Sequence, residues 1–534
     1  MWSLKEKMIN TSIIIEMRII YNTCLADPWL KVAQKLKQEH GWEPVYWNGY
    51  TDDDSDKLVA EVFPNCIYHP YFDGWKGVFP VEIEEGYLDA HIAIDFLKNY
   101  SSFELQAIKM MDRMDTDRYS FNFMERQRHY RRLLKYCMSL INICKPDVVI
   151  CDTVPHRLHD FVLLLLCQFY KIKYIAFRST NFFGYILPVT RDLEFDSNID
   201  FEYIKILNSN LKSNDIFAKL NDNIKSRYLS IIKQDNDAIP YYMKDNIIQE
   251  LKSSSFLSLS FKFITDLFKK ENGYFNRKKY IIKGFPTYYK KRSKSIEGSK
   301  YSLMDYVILK LKTNSYKKKL KKYYQSKTTI PDLNLDYLFF SLHYQPEMTT
   351  SPCGDIFVDQ LLCIESLLKY LPKNYLIYVK EHPMQFYSHR EGHTSRIKEF
   401  YNDLIESPRV KLVPLNFNTF ELIKNAEAVS TVSGTTGWEA MVLGKPVISF
   451  GLSWYERYYG TLKIINEKSA SKISEFINDF KFDKRNLYSY LLAFERTAIE
   501  AQVFRGRDVK FINSEEECVE NLSKAIISFM NNKD

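Results

Sequence analysis

The stretch Ala428-Val429-Ser430-Thr431-Val432-Ser433-Gly434-Thr435-Thr436-Gly437-Trp438-Glu439-Ala440-Met441-Val442-Leu443-Gly444-Lys445-Pro446-Val447-Ile448-Ser449-Phe450 decides the fold. Ala428 to Val432 is a short apolar run rich in β-branched residues, which predicts a buried strand. Trp438 to Leu443 is spaced as a helix, and Gly444 ends it. Pro446 to Phe450 is a second strand. Strand, helix, strand within so few residues predicts a parallel βαβ unit. Between strand and helix lies a small, hydroxyl-rich turn from Ser433 to Gly437. In such a turn backbone N–H groups approach an anion closely, and the helix N-terminus adds a favourable dipole. Gly434 and Gly437 would remove side chains that block the approach. A phosphate is the natural guest, with Ser433, Thr435 and Thr436 as further donors. Glu439, in the first turn, would cap the helix or reach a ribose hydroxyl. The competing reading is a strand–turn–helix that merely needs small residues.

The same alternation extends outward. Tyr337 to Leu342, Leu376 to Lys380 and Val410 to Val413 read as strands, with helices over Asp355–Tyr370 and Arg396–Ile405. Before residue 190 there is a second alternating region, with strands at Met17–Tyr21, Pro44–Trp47, Pro146–Cys151 and Lys173–Phe177. The expected class is α/β with two Rossmann-like lobes facing a cleft. Residues 1–190 read as an N-terminal lobe and 331–470 as a C-terminal lobe. Residues 191–330 read as a helical, Lys-rich insertion. Residues 471–534 read as helices that pack back on the N-terminal lobe.

With 534 residues and 46% hydrophobic content, the chain can fill more than one core. Nine cysteines without CxxC spacing fit reduced thiols in a cytoplasmic protein. No apolar run reaches the length of a bilayer span. The net charge is +8, but 269–327 carries 19 Lys or Arg against three acidic residues, or +16. Its interleaved Phe, Tyr, Ile and Leu favour a peripheral contact with an anionic inner-membrane surface over a nucleic-acid interface. A solvated helical surface is the alternative.

Further candidates follow from position. Ligands of open α/β sheets bind beyond the carboxyl ends of strands. Lys380-Glu381-His382-Pro383 ends one strand, so Lys380 would neutralise charge and His382 would donate to phosphate, ribose or base. His343-Tyr344-Gln345-Pro346-Glu347 follows another, and Gln345 and Glu347 would touch the sugar. In the N-terminal lobe, Asp152 and His156 follow the strand ending at Cys151, and Asp27 follows the first strand. These three are the candidate acid–base groups, since an acceptor hydroxyl must lose its proton. Acceptor binding by His156 and helix capping by Asp152 are the alternatives. Arg178 to Asn181 would also line the cleft. No clustered metal ligands and no Walker or GxGxxG pattern appear.

HYQPEMTTSP, KEHP and TVSGTTGWEAMVLGKPVISFG, within residues 338–451, resemble the bacterial capsule polysaccharide biosynthesis family. PDVVICDTVPHRLHDFVLL resembles the matching N-terminal lobe more loosely. The resemblance implies a GT-B-like fold and a cytoplasmic glycosyltransferase of capsule or lipopolysaccharide. It implies a nucleotide-sugar donor, with a CMP-sugar favoured, and a surface-polysaccharide or lipid-linked acceptor. His382 and Pro383 would meet the nucleotide; Ser433, Thr435 and Thr436 would meet its phosphate. No metal or other cofactor is implied, the nucleotide-sugar being a substrate. The alternatives are a nucleotide-sugar epimerase or hydrolase on the same scaffold, or a non-catalytic glycan-assembly protein.

Overall fold

In the computed structural model, the described residues are 17–24, 26–50, 54–115, 121–234, 303–503 and 514–531, with a few positions between 243 and 250. They form two α/β lobes. The N-terminal sheet contains β1 (Arg18–Asn22), β2 (Glu43–Gly49), β3 (Ile67–Pro70), β4 (Val148–Cys151), β5 (Lys173–Ser179) and β6 (Tyr185–Thr190). Its order is β13-β6-β5-β4-β1-β2-β3, where β13 (Ile499–Glu500) comes from the far end of the chain. β3 to β5 are parallel, and β6 and β13 run antiparallel to their neighbours.

The C-terminal sheet contains β7 (Tyr337–Ser341), β8 (Leu376–Lys380), β9 (Val410–Leu412), β10 (Ala428–Thr431), β11 (Val447–Ser449) and β12 (Thr461–Lys463). All its strands are parallel, in the order β12-β11-β10-β7-β8-β9. This is the doubly wound order, whose direction of winding reverses between β7 and β10. Tyr337 to Phe340 are fully buried, as strands covered on both faces require. The chain is a GT-B-like α/β protein. That assignment rests on the strand orders and on the cleft shared by the two lobes.

The described helices of 191–330 divide between two cores. Helices Ile199–Leu207, Ser213–Lys219 and Asp222–Lys233 pack on helix Lys484–Thr497 and share one apolar core with the C-terminal lobe. Arg485 ties the layer together by donating to the carbonyls of Leu207, Ser209 and Leu211. Helix Leu303–Ser326 instead packs on the C-terminal sheet through Leu320 and Tyr324. Local composition cannot show this division, because the partners are distant in sequence: Tyr324 meets Phe386 and Tyr401, and Tyr228 meets Tyr488. Helix Glu515–Asn531 lies against Ala26–His40 on the N-terminal lobe. Where the lobes meet, Phe182 sits between Trp438 and Trp454, with ring centroids 5.2 and 5.4 Å away.

Of the basic segment, residues 269–302 lie outside the described residues. Within the rest, Lys317 corrects the expected exposed surface: it is 1% exposed. Lys312, Lys318, Lys319, Lys321 and Lys322 are exposed. All nine cysteines are buried free thiols. No helix among the described residues is long and apolar enough to cross a membrane.

Candidate functional site

A cavity of about 920 Å³ opens where the carboxyl ends of both sheets face each other. The C-terminal lobe supplies the loops after β7, β8 and β10, flanking the reversal point of its sheet. The N-terminal lobe supplies Thr153 after β4 and Arg178 to Asn181 at the end of β5. Trp454 Nε1 donates to Asn181 Oδ1 at 2.6 Å, so the two walls are joined.

Eight residues expected on the donor side line this cavity: Lys380, His382, Pro383, Ser433, Gly434, Thr435, Thr436 and Glu439. Glu347 lines it as well. The hydroxyl-rich turn is built differently from the expectation. Ser433 N–H donates to His343 Nε2 at 3.1 Å, and Gly434 N–H to Thr431 Oγ1 at 3.2 Å. Ser433 Oγ donates to the Thr349 carbonyl at 2.8 Å. The first donors of the turn are thus spent on its own shape. Thr435 and Thr436 open helix Thr435–Val442, and their N–H groups precede the intrahelical ladder. They are the backbone donors that an anion in the cavity would meet.

Two expected contacts are corrected. Gly437 packs against Tyr455, whose hydroxyl would lie 2.1 Å from an added Cβ. It permits internal packing rather than the approach of a ligand. Gln345 is buried and donates from Nε2 to the Val358 carbonyl and Thr350 Oγ1, while its Oε1 accepts from Arg396. It braces the loop after β7 from within and is not part of the cavity wall.

Lys380 Nζ donates to the Phe417 carbonyl at 2.6 Å and to Thr419 Oγ1 at 2.7 Å. Burial lowers its pKa to about 8, opposed by nearby Glu439. Burial raises the Glu439 carboxyl to about 7, against the pull of Arg227, the Thr435 hydroxyl and Lys380. His382 Nδ1 accepts the Met384 N–H at 3.2 Å. The neutral tautomer that fits this bond carries its proton on Nε2. Burial, with Lys380, Arg390 and Arg396 nearby, lowers its pKa to about 4, so the ring is a neutral hydrogen-bond donor at neutral pH.

The acid–base candidates Asp152, His156 and Asp27 lie off the cavity wall. His156 Nδ1 is 3.9 Å from Glu347 Oε1, across the lobe boundary. Burial lowers His156 to about 4. Burial alone would raise Glu347, but His156, Arg113 and Arg157 outweigh it and hold the carboxyl below its usual range. Arg113 also donates to the Ser351 carbonyl at 2.7 Å, binding the loop after β7 to the N-terminal lobe. Asp152 is buried beside the cavity-lining Thr153. Burial raises it to about 8, which makes it a carboxylic acid at neutral pH. Asp152, His156 and Asp27 do not form the cavity wall. Glu347, expected as a sugar contact, does.

Sequence reasoning missed Arg227 and Arg390, which also line the cavity. Arg227 comes from helix Asp222–Lys233, in a segment that carries no motif. Arg178, from the N-terminal lobe, is largely buried and donates to Cys353 Sγ at 3.6 Å. It adds another positive charge to the wall opposite the Ser433–Thr436 turn.

Residues 300–460 match the family model described as capsule polysaccharide biosynthesis protein. The capsule polysaccharide modification protein LipA of Neisseria meningitidis serogroup A is 28% identical over 117 residues, which is 22% of this chain and 15% of that protein. LipA of serogroup B is 33% identical over 79 residues, 15% of this chain and 10% of that protein. The chain therefore matches less than a sixth of either relative. Among solved structures, the KpsC beta Kdo 2,4 transferase of Thermosulfurimonas dismutans is 17% identical, covering 34% of this chain and 55% of that one, with a TM-score of 0.22. The UDP-GlcNAc 2-epimerase of Methanocaldococcus jannaschii is 14% identical, covering 88% of this chain and 94% of that one, with a TM-score of 0.23. The similarity to capsule polysaccharide biosynthesis proteins in the family model spans residues 300–460, the C-terminal part of the chain.

Proposed function

We propose, from the family match of residues 300–460, that the chain is a glycosyltransferase that moves a sugar from a nucleotide-activated donor to a surface-polysaccharide or lipid-linked acceptor. One observation carries the reading: a single cavity joins a cation-rich, helix-headed wall on the C-terminal lobe to an N-terminal wall bearing Arg178 and Thr153. In this reading the donor phosphate meets the first N–H groups of helix Thr435–Val442, with Lys380 and Arg178 neutralising its charge. His382 donates from Nε2. Glu439 serves the ribose. A CMP-sugar is the favoured donor, by resemblance to the Kdo-transferring branch of the family.

The acceptor enters from the N-terminal side, where its hydroxyl would lose a proton. Glu347, a wall carboxylate facing His156 and held below its usual range by its charged neighbours, is the group proposed to accept it. Asp152, protonated at neutral pH, and His156 would support that side of the cleft. The exposed lysines Lys312, Lys318, Lys319, Lys321 and Lys322 are the surface proposed to face an anionic inner membrane, where a cytoplasmic enzyme would find a lipid-linked acceptor.

Calorimetric titration with CMP-, UDP- and GDP-sugars, followed by mass spectrometry with and without acceptor glycan, tests the reading. The expected result is donor binding that is lost in Lys380→Met and His382→Ala, with sugar released only onto an acceptor. Epimerised or hydrolysed sugar formed without acceptor would overturn transfer in favour of the epimerase or hydrolase alternative. Donor binding with no turnover on any acceptor would favour a non-catalytic assembly protein.

A further inference from the structure

Helix Leu303–Ser326 carries a run of lysines, and one of them turns inward. Thr313, Lys317, Leu320 and Tyr324 form its buried stripe, at spacings of four, three and four residues. Lys317 Nζ donates to the carbonyls of Tyr387, Ser388 and Arg390, each at 2.8 Å. The three N–H groups of an ammonium and the three carbonyls match one for one. Carbonyl oxygens that converge on a point repel each other, so the ammonium stabilises a turn that Arg390 N–H also closes by donating to the Tyr387 carbonyl at 3.2 Å.

The turn ends at the cavity. Arg390 lines the wall, and its charge acts on His382. The surrounding chain is braced independently. Gln385 Nε2 donates to the Gly392 carbonyl at 2.7 Å, and Glu391 N–H donates to Tyr344 Oη at 3.1 Å. Between those braces, residues 387 to 390 are held by Lys317 and by Glu250, whose Oε2 accepts from Ser388 N–H at 2.8 Å and from Ser388 Oγ at 2.9 Å.

We infer that Lys317 is a positioning residue of the donor site: its ammonium gathers the 387–390 turn so that Arg390 faces the anionic part of a bound nucleotide. This rests on the nucleotide-sugar reading of the cavity. It also separates Lys317 from its exposed neighbours, whose charge serves the outer surface.

The experiment compares the full-length wild type with Lys317→Met, Arg390→Met and the double variant, using exposed Lys318→Met as control. Calorimetry with CMP and with UDP gives affinity, and amide hydrogen exchange over residues 386–392 reports the turn without any ligand. Lys317→Met is expected to speed exchange in that segment and to weaken nucleotide binding by about tenfold, the size of one charge-assisted contact. In the Arg390→Met background it should weaken binding no further. Unchanged local exchange, or a full additional loss in the double variant, would overturn the positioning role. Should Lys317→Met not fold, Lys317→Arg keeps the charge but spreads its donors, and it should show both effects more weakly. A wild type that binds neither nucleotide would instead overturn the reading of the cavity and the donor-site role with it. Exchange would still show separately whether Lys317 holds the turn.

Discussion

Arg396 Nε donates to Glu381 Oε2 at 2.9 Å, and both side chains are cut off from solvent. Glu381 also accepts from Tyr401 Oη at 2.9 Å and from the His382 N–H at 2.7 Å. Arg396 reaches the His343 carbonyl at 3.1 Å. One buried ion pair thus fixes the loops after β7 and β8, the two that carry His343 and His382. Glu381→Ala would strand a buried guanidinium. It is expected to cost about 3–5 kcal/mol in denaturant unfolding. A loss below about 1 kcal/mol would mean that the pair does not organise the loops.

Donor affinity should depend on pH in one direction. Lys380 loses its charge near pH 8, and Glu439 gains a negative charge near pH 7. Both changes weaken the hold on an anion, so nucleotide affinity should fall as pH rises from 6.5 to 9. Calorimetry across that range checks this, and Glu439→Gln should remove the lower part of the fall. Affinity that strengthens with pH would contradict the assigned charges.

The two glycines of the turn should separate. In Gly437→Ala the new methyl group meets Tyr455 Oη at 2.1 Å, so a stability loss of about 1–3 kcal/mol is expected from overpacking. In Gly434→Ala it meets Thr431 Oγ1 at 2.8 Å and His343 at 3.2 Å, beside the cavity. That variant should lose nucleotide affinity more than melting temperature. Equal melting losses in both variants would refute the distinction.

Stability itself should fall in acid. Burial lowers His69, His129 and His343 to about 3, and His156 and His382 to about 4. The unfolded chain takes up these protons near pH 6.5 and the folded one resists until far lower. Between those values the unfolded state binds more protons, so stability declines as pH falls. Urea midpoints at pH 7, 6 and 5 should drop in that order, and a flat series would argue against neutral, buried rings.

Exchanging Lys318, Lys319, Lys321 and Lys322 for Gln should reduce binding to anionic vesicles at low salt and leave the melting temperature unchanged. Undiminished vesicle binding would remove this helix face from the membrane reading.

The strands were legible because each is a short apolar run whose character is local; β7, β8, β10 and β11 all fall where their sequences point. Lys380, His382 and the Ser433–Thr436 turn could be placed at strand ends for the same reason. Gln345 could not be read, since only Arg396, 51 positions later, makes it a brace. Gly437 likewise needs Tyr455 to reveal its purpose. Arg227 reaches the cavity through helix packing that no local pattern encodes. Lys317 did leave a signal: it falls in register with Thr313, Leu320 and Tyr324, where a helix buries its inner stripe.

The chain passes between the lobes after β6 and returns through β13, and these two strands lie side by side, Ile186 opposite Ile499. Both passages therefore leave from one sheet edge, next to Phe182 and its tryptophans. A lone tether would let the lobes swivel freely. Two antiparallel passages at a single seam hold them together along that edge, with the aromatic rings beside it.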